Sequence, residues 1–241
     1  MADKGKWPKA IFFDSKNTLW DWGLHIWTEV AAEILNKYGV KNVDPQKFAN
    51  KWHTIHLGYQ HRVAFADYRE FKDCHKDALM DACKIFGVPG VPSDVEFMDS
   101  RLGTIQPYPD TIEALKNLQK MTRVLVFSNV ETAHLAAMVD RLPDFKPDFV
   151  GDMQQAGMAK PNPRAYYWVL DKNGLGVEDV IYCCGPMWDV QGALAVGMKA
   201  AWLNRGKDQL DGNVDGGIKP TWEISNLHEL VKIVESFIKG G

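Results

Sequence analysis

Short apolar runs recur along this chain, and small polar residues or turn formers follow each one. The runs are Ala10–Phe13, Val124–Phe127, Phe149–Val150, Val180–Cys183 and Ala200–Leu203. Such runs between turn signals predict buried strands. Thr111–Met121 places Ile112, Leu115 and Leu118 at three-residue steps behind the start signal Pro109-Asp110, which predicts a helix. Pro163–Asp171 and Gln191–Val196 predict shorter helices, and Leu227–Ile238 a final one packed on the core. Strand and helix therefore alternate. The pattern implies βαβ units: an α/β chain with a mostly parallel sheet covered on both faces.

One region departs from it. Between Trp22 and about Arg101 only helical periodicity is present. Ile26, Val30, Ile34 and Tyr38 recur every four residues; Phe48, Trp52, Ile55 and Tyr59 form a second segment. Tyr68–Phe86 is a third, with Cys74, Ala78, Ala82 and Phe86 on one stripe. Because this region directly follows the first strand, it reads as a helical insert above one edge of the sheet. The stretch from Gly206 to Pro220, rich in Gly and Asp, reads as a surface loop.

Composition narrows the possibilities. At 241 residues, 46% hydrophobic and 24% charged, the chain suits one globular domain with a smaller insert. A net charge of −3 without blocks of like charge argues against a nucleic-acid partner or a polybasic membrane surface. No segment is long and apolar enough to span a bilayer, and Met1–Lys6 lacks a signal-peptide core. The four cysteines form no zinc-type pair, so reduced thiols in a cytoplasmic protein are expected. No GxGxxG loop follows a strand, and no cofactor is expected.

The candidate chemistry sits at the strand ends. Asp14 closes the first run, where open parallel sheets place ligands, and a carboxylate there can act as a nucleophile. An Asp after a strand also serves as a helix cap. Ser128-Asn129 ends the second run and offers hydrogen bonds to an anion, or again a cap. Lys160, in the stiff segment Ala159-Lys160-Pro161-Asn162-Pro163, can supply a fixed cation that offsets charge in the transition state. Asp189 follows the fourth run and can orient Lys160.

Asp14 with Thr18, then Ser128, Lys160 and Asp189, resemble the four motifs of the haloacid dehalogenase (HAD) superfamily in family order. The likeness extends to its type II L-2-haloacid dehalogenase branch. Trp52…Leu57-Gly58-Tyr59 looks like that branch's cap helix, and Tyr108-Pro109-Asp110 like the return into the core. Ser128-Asn129, Lys160-Pro161 with Tyr166, and Trp188-Asp189…Trp202-Leu203-Asn204-Arg205 resemble its later motifs. The resemblance covers roughly residues 8–206. It implies a Rossmann-like core of residues 1–21 and 101–241, a helical cap of residues 22–100, and a possible homodimer. It also implies catalytic roles for Asp14, Thr18, Lys160 and Asp189, with Lys16, His53, Ser128, Asn129, Tyr166, Cys184 and Trp188 around the substrate.

Departures from the pattern bear on the substrate. The superfamily's phosphatases carry a second Asp where Lys16 stands and a magnesium carboxylate near Cys184, which leaves too few oxygen ligands for that metal. Type II dehalogenases carry a Tyr where Lys16 stands, an Arg near His53, Ser and Asn where Cys184 and Pro186 stand, and Gly where Val130 stands. Lys16 either adds a cation at the pocket floor or packs its stem against Trp20. The expected function is a metal-independent hydrolase: Asp14 attacks a carbon α to a carboxylate and forms an aspartyl ester. Haloacids or strained cyclic acids are the substrates. Two alternatives are a phosphatase that uses Asp14 as phosphoryl acceptor and a catalytically silent binding protein.

Overall fold

The computed structural model describes residues 7–208 and 217–239. The leader reading of Met1–Lys6 and the middle of the expected loop at Gly206–Pro220 lie outside the described residues. Six strands form one sheet: β1 (Ala10–Phe13), β2 (Arg123–Ser128), β3 (Phe149–Asp152), β4 (Val180–Cys184), β5 (Lys199–Leu203) and β6 (Trp222–Ile224), in the order β3-β2-β1-β4-β5-β6. Every pairing is parallel. β1 lies between β2 and β4, with Phe13 beside Val126 on one side and Cys183 on the other.

A parallel sheet buried on both faces needs continuous apolar strands, which accounts for the unbroken runs. Alternate residues serve two cores. Ile11, Phe13, Val124 and Val126 join one, together with Leu115 and Leu118 of α5 (Thr111–Gln119) and Leu230 and Val234 of α10 (Leu227–Lys239). Phe12, Leu125, Phe127 and Tyr182 join the other, packed on α8 (Pro163–Asn173) and α9 (Met187–Ala195). α9 starts four residues before its expected place, because Pro186 caps it and Met187-Trp188-Asp189 form its first turn. β6 was not expected: three residues on a sheet edge are too short to show a period.

Between β1 and α5 the described chain holds helices and no strand: α1 (Leu24–Lys37), α2 (Pro45–Val63), α3 (Phe71–Phe86) and α4 (Glu96–Leu102). Asp44 caps α2 by accepting from the Lys47 N–H at 2.8 Å, and Pro45 fills the first helical position. Left-handed Gly87 ends α3. Trp27 of α1 packs edge-on against Trp52 of α2, ring centres 5.0 Å apart, and the Trp52 indole N–H donates to the His75 carbonyl of α3 at 3.2 Å. Apolar stripes thus bury α1, α2 and α3 against one another. α6 (Thr132–Val139) and the one-turn α7 (Met153–Ala156) complete the connections of the sheet.

Candidate active site

The Asp14 N–H still donates to the Cys183 carbonyl at 3.1 Å, so its carboxylate stands just past the end of β1. The chain then turns sharply. Asn17 takes a left-handed φ of 60°, and the N–H groups of Thr18, Leu19 and Trp20 all donate to the Ser15 carbonyl. This turn brings Thr18 back: its Oγ1 donates to Asp14 Oδ2 at 2.8 Å and accepts from the Gly185 N–H at 2.9 Å. A β-carbon at position 185 would run into the Asn17 carbonyl. Glycine there lets the loops after β1 and β4 touch.

Lys160 reaches Asp14 from behind the wall. Its backbone is clamped by Asn129, whose Nδ2 donates to the Lys160 carbonyl at 2.8 Å and whose Oδ1 accepts from the Lys160 N–H at 2.9 Å. The fully buried ammonium donates to Asp14 Oδ1 at 2.8 Å, Asp189 Oδ2 at 2.6 Å and the Tyr182 hydroxyl at 2.8 Å. Three N–H groups thus meet three acceptors. Burial opposes the charge on Lys160, but Asp14 and Asp189 outweigh it and hold its pKa above the ordinary lysine value. Asp189 also accepts from Tyr166 at 2.6 Å and from Tyr182 at 2.7 Å. Burial pushes the Asp189 carboxyl up, and Lys160 pulls against that.

In front of Asp14 lies a cavity of about 640 Å³, of the size that takes small molecules. Asp14, Lys16 and Asn129 line it from the sheet side, His53 from α2, and Trp188 from α9. The Lys16 ammonium lies 3.3 Å from the ring centre of Phe71 and 5.7 Å from that of Trp22. It therefore enters the cavity wall, and the stem-on-Trp20 alternative does not hold. Burial lowers the Lys16 pKa to about 7, against the pull of Asp14 and Glu131. Burial, with Lys16 adding to it, lowers His53 to about 4.

Three expected substrate contacts lie elsewhere. The Ser128 hydroxyl bonds to that of Ser15 and ties the exits of β1 and β2 together. Tyr166 stands under Asp189, reaching it past Gly192, where a side chain would collide with the Tyr166 hydroxyl. Cys184 is fully buried with its Sγ 3.8 Å from the Pro186 carbonyl, and burial drives its thiol far above the ordinary value. Tyr166 and Cys184 belong to the sheet's second core, and Ser128 is fully buried against Ser15, so all three pack behind the cavity wall. Tyr182 was missed, although a tyrosine in a buried strand needs a partner for its hydroxyl. Trp27, His56 and Phe71 were missed as wall residues because helical periodicity marks them only as buried.

The residues do not suit a divalent cation. Both Asp14 oxygens and both Asp189 oxygens already accept hydrogen bonds, an ammonium stands where a second carboxylate would be needed, and a thiol sits at 184. Among the described residues no group of three His, Cys, Asp or Glu side chains is placed to hold a metal ion.

The haloacid dehalogenase-like hydrolase family matches this chain over residues 8–197. Haloacetate dehalogenase H-2 of Moraxella sp. (strain B) is 25% identical over 200 residues, which cover 82% of this chain and 86% of the relative. Pyrimidine 5'-nucleotidase YjjG of Escherichia coli (strain K12) is 24% identical over 143 residues, or 57% of this chain and 61% of the relative. The structure of L-2-haloacid dehalogenase from Xanthobacter autotrophicus with chloropropionic acid covalently bound superposes with a TM-score of 0.75. That pair shares 21% identity and covers 94% of this chain and 98% of the other. At this identity the superposition establishes the fold.

Proposed function

Because the chain belongs to the haloacid dehalogenase-like hydrolase family, we propose that it is a metal-independent hydrolase whose nucleophile is Asp14. The observation that carries this reading is the fixation of one carboxylate at the cavity floor: Lys160 holds Oδ1 and Thr18 holds Oδ2, both at 2.8 Å. A nucleophile held in one orientation needs little reorganisation to attack. Asp14 displaces the group on a carbon α to a carboxylate and forms an aspartyl ester. Water then attacks the ester carbonyl and releases a 2-hydroxy acid. Asn129 spends one amide N–H on the Lys160 carbonyl and keeps the other for a ligand. The helices Leu24–Leu102 serve as a cap whose aromatic side chains exclude water and so strengthen the electrostatics. The relative acting on haloacetate supports a haloacid substrate.

The test is halide release from each enantiomer of 2-chloropropionate in the presence of a chelator, with Asp14→Asn as control. The expected result is release from one enantiomer, unchanged by chelator, and lost on the order of 10⁴-fold or more in the variant. The variant's circular dichroism should match that of the native chain. Undiminished turnover by Asp14→Asn, or dependence on magnesium, would sink the mechanism. Release from neither enantiomer would move the substrate to strained cyclic acids such as azetidine-2-carboxylate.

A further inference from the structure

The cavity is larger than a short haloacid fills. A cavity of roughly 150 Å³ takes benzene, and this one has about 640 Å³. Much of its wall is apolar: Trp22, Trp27 of α1, Leu57 of α2, Phe71 of α3 and Trp188 of α9 all line it. Among the described residues two cations line it as well, Lys16 and Arg205. Arg205 is engaged by both oxygens of Asp110, at 2.9 and 3.0 Å, and by the Thr18 carbonyl. Lys16 lies over the Phe71 ring, and among the described residues its ammonium has no hydrogen bond and no ion pair. The charged and titratable groups around Lys16 are Asp14 and Lys160 on the sheet side, Glu131 ahead of α6, His53 and His56 of α2, and His75 of α3. Asp14 is held by Lys160 and Thr18, and Glu131 by His134 and the Lys72 N–H. Burial, the first cause for each, keeps the three imidazoles neutral. Trp27 Nε1 and His56 Nδ1, on two residues of the same wall, are buried without a hydrogen-bond partner among the described residues. A few unsatisfied polar groups in an apolar wall are what orients a ligand in such a site.

We infer that this cavity takes a carboxylic acid whose C2 carries an aromatic or comparably large apolar group, with Lys16 as the cation that holds its carboxylate. This rests on the reading of Asp14 as nucleophile only for the leaving group at C2; the ligand class itself follows from the room, the wall and the unpaired ammonium. The apolar group lies against the aromatic wall, where burying a ring adds affinity in proportion to the area removed from water. The carboxylate supplies the counter-ion that Lys16 lacks, in surroundings dry enough to make a charge-assisted hydrogen bond strong. A neutral ligand of the same shape gives Lys16 nothing to pair with. In the empty cavity burial lowers the Lys16 pKa to about 7, against the pull of Asp14 and Glu131. An arriving carboxylate favours the charged form, so binding above pH 7 takes a proton from solvent. The imidazoles stay neutral across pH 6 to 8, since burial sets His53 at about 4 and lowers His56 and His75 well below 6.5. The ligand itself is ionised over the same range.

The experiment is titration calorimetry of acetate, phenylacetate and benzyl alcohol into the native chain and Lys16→Met, at pH 6 and pH 8, in buffers of different ionisation enthalpy. None of these ligands has a leaving group, so their binding does not require attack by Asp14. Phenylacetate should bind about 30-fold or more tightly than acetate, the factor expected for burying a phenyl ring. Native binding of phenylacetate should take up about 0.9 of a proton at pH 8 and about 0.1 at pH 6, and be about tenfold weaker at pH 8. Lys16→Met should bind phenylacetate about tenfold or more weakly at pH 6, with no proton uptake at either pH. Benzyl alcohol, the same ring without the charge, should bind the native chain and the variant alike. Equal affinity for acetate and phenylacetate overturns the ligand class. No proton uptake by the native chain at pH 8, or unchanged phenylacetate affinity in Lys16→Met, overturns the Lys16 anchor. The native proton count decides this even if the variant does not fold. Each of these failures leaves Asp14 as nucleophile in place, because that reading fails only in the halide-release test with Asp14→Asn.

Discussion

The hydroxyl of Tyr182 sits between Lys160 and Asp189, accepting from one at 2.8 Å and donating to the other at 2.7 Å. Replacing it with phenylalanine strands one N–H of a buried ammonium and removes one donor from a buried carboxylate. Each unsatisfied group in a dry interior costs about 1–3 kcal/mol. Tyr182→Phe should therefore lose roughly 2–4 kcal/mol in urea unfolding and turn over about tenfold more slowly, because Lys160 no longer has a single position. An unchanged unfolding midpoint would show that Lys160 and Asp189 satisfy each other alone. Asp14, Lys160 and Asp189 were legible in the sequence, since each polar residue closes an apolar run or sits in a proline-stiffened loop. Tyr182 was not, because within a strand its ring counts as one more buried residue.

At the scale of elements, the site depends on loops from β1, β2 and β4 meeting within hydrogen-bond distance. Gly185 is where two of them touch, backbone against backbone. Gly185→Ala should push the β4 loop off Asn17 and break the bond from the Gly185 N–H to Thr18, which in turn holds Asp14. A displacement near 1 Å at a reacting group costs on the order of 10²-fold in rate. The expected outcome is a kcat reduced by about that factor with a far-UV spectrum unchanged. Native kcat in the variant would mean that Asp14 is held adequately by Lys160 alone. The helices α1 to α3 were legible as periodic stripes. Where those stripes meet was not: Trp27, His56 and His75 read as separate positions on three helices until packing stacked them.

Across the whole molecule, acid should unfold the protein early. Burial first, and neighbouring positive charge second, lowers His53 to about 4 and puts His56 and His75 well below the usual 6.5. The unfolded chain takes up these protons near pH 6.5, and the folded chain does so only much lower. Stability is therefore full above about 6.5 and falls as pH drops toward 4. His53 alone should remove roughly 2 kcal/mol between pH 7 and pH 5. Urea midpoints at the two pH values check this, and His75→Phe should flatten the difference. A pH-independent midpoint would mean that the helices α1 to α3 open before the sheet unfolds.

The strand runs at Ala10–Phe13 and Val124–Phe127 determined the parallel sheet by themselves, because a strand buried on both faces has no other composition available to it. They also determined where Asp14 would stand, since the first polar residue after such a run must leave the sheet at its edge. The order of the chain determined that a helical layer follows β1. Tertiary structure decided the rest: that Lys160 bridges Asp14 and Asp189 across 146 and 29 residues of chain, that Cys184, Ser128 and Tyr166 face the interior, and that Lys16 lies against the Phe71 ring with no ion pair among the described residues. A residue's chemistry is written in its side chain, but its charge state depends on what desolvates it and what pairs with it. Those neighbours come from distant segments and exist only once the chain has folded.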